Sequence, residues 1–342
     1  MIDRSRGTHV SLPRVGVAGR RRLVDLGVFT AKSAITVCCF WYLARNVDVG
    51  ALLRAPLTLD LQWTFLAIVI LMAQIPLIGL RWRSIVDALD GGRDHLGITP
   101  AVACTAIAGF FAQVVPNIAA DSLRAWMLTR LGRGWRLAVA SVMIDRAIGV
   151  AALFALGFAV LQSRSPLAAL NGYRATVSEI FGGVLIFGGA GLVLAPRLAA
   201  VLELWRFTAW IGRLAKAAHA VLLARSAGIG IAAIAILVHA LTIISVWLLA
   251  HAAGLQLSIA DAAVLFVVVV AVALIPVSIG GWGVRELTVT SLLAGHGVPA
   301  EKALFFSVSF GLALLIAALP GALVWALYSP GGERLSPAAA RK

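Results

Sequence analysis

Charged residues are scarce in this sequence of 342 residues, since 13% are Asp, Glu, Lys or Arg whereas 61% are hydrophobic. Soluble domains carry about 25% charged and about 45–50% apolar residues, so this composition excludes an ordinary soluble fold. Negative charge is the scarcer sign, with 15 acidic residues against 29 basic ones. In a soluble protein such an excess would suggest nucleic acid as a partner, but here the arginines lie between apolar runs. They therefore indicate loops that face anionic lipid headgroups, and no nucleic-acid partner is predicted.

Cysteine and metal-ligand patterns are equally sparse. The three cysteines are Cys38, Cys39 and Cys104, and there is no CxxC pair, so neither a disulfide framework nor a redox motif is indicated. His239 and His251 are too far apart for the spacing of a helical zinc site. There is no nucleotide-binding P-loop and no G-x-S-x-G motif. We therefore predict no metal, no cofactor and no catalytic residue.

Long apolar runs, by contrast, dominate the chain. A helix needs about 20 mostly apolar residues to cross a bilayer core of about 30 Å, so runs of this kind predict an all-α, polytopic helical membrane protein. A single membrane domain is expected over residues 23–327, preceded by a basic cytoplasmic tail (1–22) and followed by a short flexible tail (328–342). The runs cover residues 23–43, 61–80, 98–118, 137–161, 180–198, 229–250, 259–279 and 303–327.

Two of these runs end at a break that a continuous span would not choose. Run 98–118 contains Pro116, and run 259–279 contains Pro276, which is followed by Gly280, Gly281 and Gly283. Proline removes a backbone donor and disfavours a helical conformation at the preceding residue. We therefore predict six full spans and two re-entrant broken-helix hairpins. The alternative is eight full spans.

The distribution of positive charge favours the hairpins. Eight full spans would place the arginine-rich loop 121–136 outside the cell, against the positive-inside rule. With two hairpins both termini are cytoplasmic, and the two hairpins open to opposite sides, as in an inverted-topology repeat. In this arrangement, the basic residues of the loops and tails that lie outside the cell are Arg45, Arg54, Arg164, Arg174 and Lys302.

Ionisable residues at membrane depth cost about 2.5–3.5 kcal/mol each on insertion scales, and each is therefore a functional candidate. Asp145 and Arg146 are neighbours that point about 100° apart around a helix, so each needs a partner elsewhere. Asp145 is expected to pair with Arg124 or Arg285, and Arg146 with Asp121, Glu286 or a lipid phosphate. The alternative is that these six charges only tie the hairpins to the helix bundle.

The breaks also suggest what the charges bind. A half-helix that begins near Asp121 or Gly283 points its unpaired N–H groups and its positive dipole end at the break, where an arginine adds donors suited to phosphate. Gly280, Gly281 and Gly283 leave room for a headgroup, although glycine also lets membrane helices pack closely. Arg81 and Arg83 flank Trp82 after the second span and either contact a headgroup or form an interfacial anchor.

At these residues the sequence resembles the lysylphosphatidylglycerol-synthase transmembrane-region, or flippase-like, family. The resemblance covers about residues 23–327 and is carried by Arg81-Trp-Arg83, by segment 116–125, by Asp145-Arg146 with the following Gly149, and most specifically by segment 276–286. The family usually has glycine before the acidic residue of the first hairpin, where this chain has Ala119 and Ala120.

The resemblance implies an inner-membrane protein that handles lipids, by flippase-like translocation or binding of an anionic, phosphate-bearing lipid. A lipid-biosynthesis enzyme is the expected protein partner. After residue 327 only a short segment follows, so lipid lysylation, which needs a soluble aminoacyl-transferase domain, is not expected of this chain. A membrane-embedded lipid or polyprenyl-phosphate transferase, with Asp145 or Glu286 as base, and a purely structural accessory subunit are the alternatives.

Overall fold

The computed structural model describes residues 58–162, 172–223, 227–274 and 282–327. Within these ranges the chain forms eleven α-helices and no strand, so the all-α expectation is confirmed. In chain order they are α1 (Leu61–Leu89), α2 (Ile98–Val114), α3 (Asn117–Arg130), α4 (Trp135–Gln162), α5 (Arg174–Val193), α6 (Ala195–Leu202), α7 (Ala209–Leu222), α8 (Ala227–Ala252), α9 (Ile259–Ala273), α10 (Val284–Ala294) and α11 (Ala300–Leu327).

Five of these helices, α1, α4, α5, α8 and α11, are long and apolar enough to cross a membrane. They correspond to five of the six predicted full spans. The sixth, residues 23–43, lies outside the described residues, as do the predicted tails 1–22 and 328–342. The chain is therefore a polytopic integral membrane protein.

The first predicted break lies between α2 and α3. Val115 is extended, Pro116 precedes the first turn of α3, and no side chain caps that turn. The half-helix thus begins at Asn117 rather than near Asp121. Proline is favoured at the start of a helix, because the backbone N–H that it lacks would have no partner within the helix there. Asp121 lies one turn inside α3, and its carboxylate binds Arg146.

The two ends of the α2–α3 pair meet on one side of the molecule. Arg133, after α3, donates hydrogen bonds to the carboxylate of Asp90 and to the backbone oxygen of Asp94, both of which precede α2. A chain that enters, breaks and leaves on the same side has this arrangement. Its depth in a membrane stays a prediction.

The α9–α10 pair follows the same pattern. Its first turn is capped by Ser258 and Asp261, and Asp261 Oδ2 lies 3.8 Å from Nε2 of His296, which follows α10. Residues 275–281 between the two helices, including Pro276, Gly280 and Gly281, lie outside the described residues. With 15 and 17 residues, α9 and α2 are shorter than the roughly 20 residues of a full span. The inverted repeat stays a prediction.

Glycines allow α2 to pack closely between α1 and α11. A Cβ at Gly79 of α1 would lie 2.8 Å from the Val102 side chain, and one at Gly321 of α11 would lie 2.1 Å from the Ala106 carbonyl oxygen. Both positions thus need the absence of a side chain. Close contact at these two points holds α2 against the bundle, where it forms one wall of the cavity described below.

Helices α6 and α7 form a short amphipathic pair between α5 and α8. The connecting residues expose Leu204, Trp205 and Phe207; the basic residue Arg206 lies among them, and Arg213 follows on α7. Apolar side chains beside positive charges are typical of a segment that lies at a membrane surface.

Candidate functional site

Asp145, on α4, is the centre of a buried charge cluster. Its Oδ1 accepts a hydrogen bond of 2.8 Å from Arg81 Nε, and its Oδ2 accepts one of 2.8 Å from Arg124 Nη1. All three residues are buried. The expected pairing of Asp145 with Arg124 is confirmed, and the alternative pairing with Arg285 is wrong. The pairing of Asp145 with Arg81 was not predicted. One carboxylate thus joins α1, α3 and α4.

Arg146, the next residue of α4, binds a different partner. Its Nε lies 3.0 and 2.8 Å from Asp121 Oδ1 and Oδ2, and its Nη2 donates to Oδ1 at 2.7 Å. About half of the Arg146 side chain is exposed, whereas Asp145 is 2% exposed. Neighbours on a helix point in different directions, and the predicted divergence of the two pairs is confirmed.

Trp82 packs against the Arg124 side of the charge cluster. It is fully buried, its Nε1 donates to Ser141 Oγ, and Arg124 Cζ lies 4.2 Å from the centre of its ring. The interpretation of Arg81 and Trp82 as an interfacial anchor is therefore wrong. Arg83 is not part of the cluster, and its Nε lies 3.6 Å from Oδ2 of Asp87, four residues further along α1.

Arg285 and Glu286 form a second cluster at the start of α10. Glu286 is fully buried, and its Oε1 accepts hydrogen bonds from Arg285 Nε and Nη2 at 2.9 and 2.6 Å. Its Oε2 accepts from the N–H of Gly283, whose φ of +84° is a conformation that glycine adopts without strain. The guanidinium stacks on Trp282 at 4.3 Å. α10 begins after Gly283, as predicted.

This second cluster is embedded in the bundle. A Cβ at Gly311 of α11 would lie 2.2 Å from Arg285 Nη2, so the guanidinium occupies the space that the glycine leaves. Ser307 of α11 lies 3.4 Å from Glu286 Oε1. These contacts join α10 to α11 and support the architectural alternative for Arg285 and Glu286. The contact between a lipid headgroup and Arg285 that the sequence suggests stays a prediction.

A cavity of about 400 Å³ opens beside the first cluster. Residues near the ends of α2 and α9 line it, together with residues of α1, α3, α4, α8 and α11. Most of the lining is apolar, as in small-molecule sites generally. The charged lining residues are Arg81, Asp121, Arg124, Asp145 and Arg146. Three guanidinium groups against two carboxylates leave one positive charge. Arg83, Gly283, Arg285 and Glu286 do not line this cavity.

Several donors around the cavity have no hydrogen-bond partner among the described residues. Arg81 uses only Nε for Asp145, so both its terminal nitrogens are free, and they lie beside Gly149, whose lack of a side chain leaves space there. Arg124 Nε and Nη2, Gln74 Nε2 and Thr105 Oγ1 are buried without a partner. Buried donors without partners are rare in proteins, so water or a ligand is expected to accept from these groups.

Sequence reasoning missed Gln74, Thr105, His239 and Thr242 as lining residues. Each is an uncharged polar residue within a mostly apolar helix, and this was the available signal. Thr242 donates to Gln74 Oε1 at 2.8 Å, and His239 Nε2 lies 2.9 Å from the carbonyl oxygen of Gly149. These contacts join α8 to α1 and α4.

The fold and this site define a class: a polytopic helical membrane protein with a charged cavity inside its helix bundle. Transporters bind substrates in such places, where helix breaks line a cavity within the membrane. The chain matches the family described as lysylphosphatidylglycerol synthase TM region over residues 29–321. It belongs to that family, which confirms the resemblance and indicates a membrane-lipid-related function. No curated protein and no solved structure matches the chain.

Proposed function

We propose that this protein binds the phosphate-bearing headgroup of an anionic lipid in the cavity beside Asp145 and carries the lipid across the membrane in the manner of a flippase. The observation that carries the proposal is the free, forked end of the Arg81 guanidinium in a cavity with one excess positive charge. A planar guanidinium fork matches two phosphate oxygens, which makes it a preferred phosphate ligand.

The walls of the cavity support the same proposal. The charged residues lie on α1, α3 and α4, whereas apolar residues of other parts of the lining, among them Leu71, Leu153, Val270 and Leu314, lie on α1, α4, α9 and α11. A lipid needs this division, because its headgroup is charged and its chains are not. Bacterial inner membranes, where we expect the protein with both termini cytoplasmic, contain such lipids.

The transferase alternative receives less support from the geometry. A general base needs a carboxylate that is free to accept a proton from its substrate. Both oxygens of Asp145 are bound to arginines, and Glu286 is bound to Arg285 and to the N–H of Gly283. Both carboxylates therefore act as anchors for positive charge, and we propose no catalytic residue.

The test is a transport assay with an Arg81→Lys variant. Lysine keeps the positive charge near Asp145 but lacks the fork, so transport of a fluorescent anionic phospholipid in reconstituted vesicles should fall at least about tenfold, as expected for a lost charged hydrogen bond. Native mass spectrometry should show a matching loss of bound lipid. Both measurements use the purified full chain.

Arg83→Lys is the matched control, because Arg83 lies two residues further along the same helix and does not line the cavity. It should transport and retain lipid like the unaltered protein. Transport and lipid retention at normal levels in a stably folded Arg81→Lys variant would refute the proposed headgroup site.

A further inference from the structure

One ionisable residue of the cavity does not belong to its charge cluster. His239 lies near the middle of α8, a helix long enough to cross the membrane, and lines the cavity together with Arg81. Its Nε2 lies 2.9 Å from the carbonyl oxygen of Gly149, and the ring centres of His239 and Phe266 are 5.8 Å apart. The free terminal nitrogens of Arg81 lie beside the same glycine. His239 and the free end of Arg81 therefore border one region of the cavity.

The hydrogen bond to Gly149 determines which nitrogen of His239 can exchange a proton. A carbonyl oxygen only accepts, so Nε2 carries a hydrogen whether the ring is neutral or charged. Nδ1 has no hydrogen-bond partner among the described residues. It is therefore the nitrogen that gains or loses a proton, and the contact between α8 and α4 is the same in both states. Histidine is the side chain that makes this change near neutral pH.

The charged groups that share the cavity with His239 come from three helices. They are Arg81 of α1, Asp121 and Arg124 of α3, and Asp145 and Arg146 of α4. Among the described residues, the parts of the lining that belong to α2, α9 and α11 carry no charge, and no residue of α7, which also packs on α8, lines the cavity. Arg81 is near enough to act on the imidazole electrostatically, and two positive charges there repel each other.

A phosphate bound to the free end of Arg81 changes this balance. It brings negative charge to the region that Arg81 and His239 share, and a nearby anion favours the imidazolium over the neutral imidazole. A protonated Nδ1 is also a donor suited to a phosphate oxygen. Binding of the anion and binding of the proton therefore strengthen each other by the same factor, as linkage requires.

We infer that this protein carries one proton with each anionic lipid: Nδ1 of His239 takes up a proton from water when the phosphate binds Arg81 and returns it to water when the lipid leaves. This inference rests on the proposed function, because it takes the headgroup to enter this cavity. It adds a second transported species and an energy source. The lipid anion and the proton together carry no net charge, so a pH gradient drives the lipid toward the side of higher pH.

Proton uptake on lipid binding is the first measurement. Phosphatidylglycerol is titrated into the purified full chain in detergent, in two buffers that differ in ionisation enthalpy. Its phosphodiester does not titrate near neutral pH, so a difference between the two binding enthalpies reports protons taken up by the protein. The unaltered protein should take up as much as about one proton per lipid, and its affinity should fall by up to about tenfold for each pH unit above neutrality. Equal enthalpies and a pH-independent affinity would overturn the inference.

A His239→Gln variant tests the residue. Glutamine is of similar size, has an amide that can donate to the Gly149 carbonyl oxygen, and does not titrate. The folded variant should bind phosphatidylglycerol without proton uptake and with an affinity that is independent of pH. His251→Gln is the matched control, since His251 lies in the last turn of the same helix and does not line the cavity. It should behave like the unaltered protein. Proton uptake that persists in folded His239→Gln would contradict the inference.

Transport under a pH gradient tests the energy source. Vesicles contain the unaltered protein and phosphatidylglycerol with a fluorescent acyl chain, and the two sides differ by about one pH unit. The labelled lipid should become enriched in the leaflet on the alkaline side by up to about tenfold, the limit for one proton per lipid. His239→Gln should at most distribute it evenly. An even distribution by an unaltered protein that transports the lipid would also overturn the inference.

The outcomes separate the inference from the proposed function. If phosphatidylglycerol binds, Arg81→Lys weakens its binding and no proton is taken up, the headgroup site stands and the proton coupling fails. If phosphatidylglycerol does not bind to the unaltered protein, the proposed function and the inference both fail. If it binds but Arg81→Lys retains it at the normal level, the lipid is held elsewhere and both fail at this cavity.

Discussion

Asp145 and Arg146 show at the scale of single residues how adjacent charges serve separate pairs. An arginine at position 145 would face Arg81 and Arg124, and an aspartate at position 146 would face Asp121. The double reversal Asp145→Arg with Arg146→Asp should therefore lose about 3–5 kcal/mol of stability and all transport, as expected when buried pairs are broken. Thermal unfolding in detergent and the vesicle assay measure this.

A reversal within one true pair is the matched control. Asp121→Arg combined with Arg146→Asp restores an ion pair between the same two positions, and Arg146 is about half exposed, so the loss of stability should be much smaller. Full activity of the Asp145–Arg146 reversal would contradict the assignment of partners.

Arg285 is the second residue whose role can be decided by substitution. Its guanidinium is bound to the fully buried carboxylate of Glu286, so Arg285→Ala should cost about 3–5 kcal/mol by leaving that carboxylate unpaired. Arg285→Lys keeps the charge and should cost less. Because Arg285 does not line the cavity, lipid bound per folded molecule should stay unchanged in both variants.

The two roles of Arg285 give opposite results. If a headgroup were gripped here, lysine would lose the fork, and lipid retention would fall almost as far as with alanine while stability remained normal. Thermal unfolding and native mass spectrometry on the same samples distinguish these cases.

At the scale of elements, the close approach of α2 and α11 holds the cavity wall in place. A methyl group at Gly321 would lie 2.1 Å from the Ala106 carbonyl oxygen, so Gly321→Ala must push α2 outward. We expect a loss of about 1–3 kcal/mol, typical of overpacking, together with weaker lipid retention, since α2 carries Thr105.

Gly189→Ala is the control for the change in helix propensity when glycine is replaced by alanine. Gly189 lies on α5, no atom lies within 4 Å of a Cβ built there, and alanine favours helix over glycine. This variant should be as stable as the unaltered protein or slightly more so. Equal behaviour of the two variants would show that α2 does not depend on the contact at Gly321.

At the scale of the whole molecule, internal contacts define which loops share a side. The N–H of Asp60 donates to the carbonyl oxygen of Ala252, and Lys302 Nζ donates to that of Gly254, so the start of α1, the end of α8 and the start of α11 lie together. The segment between α6 and α7 precedes α8, whose far end belongs to this group, so a crossing by α8 places the segment on the opposite side. The charge distribution predicts that this segment is cytoplasmic.

Cysteine labelling in intact cells tests the orientation. In a background without native cysteines, Gln256→Cys should react with an impermeant reagent and Arg206→Cys should react only after the cells are opened, because both positions are exposed but face opposite sides. The reverse pattern would contradict cytoplasmic termini. Arg93→Cys, in the loop before α2, should behave like Arg206→Cys.

Most of the architecture could be predicted from the sequence, because it depends on local rules. Run length predicted five spans that the structure describes, since a helix must match the bilayer thickness. Pro116 predicted the break before α3, because proline restricts its own residue and the one before it. Asp145 and Arg146 were found as candidates because charge in an apolar run is costly wherever it lies.

The partners of those charges were decided only by the tertiary structure. Arg81 and Asp145 are 64 residues apart, and Arg124 and Asp145 are 21 apart, so their contacts depend on how α1, α3 and α4 pack. Arg285 binds its own neighbour because Glu286 caps the first turn of α10 and Gly311 leaves room for the guanidinium. Gln74 and Thr105 became site residues for the same reason: composition marks a polar side chain, but only helix packing decides which cavity it lines.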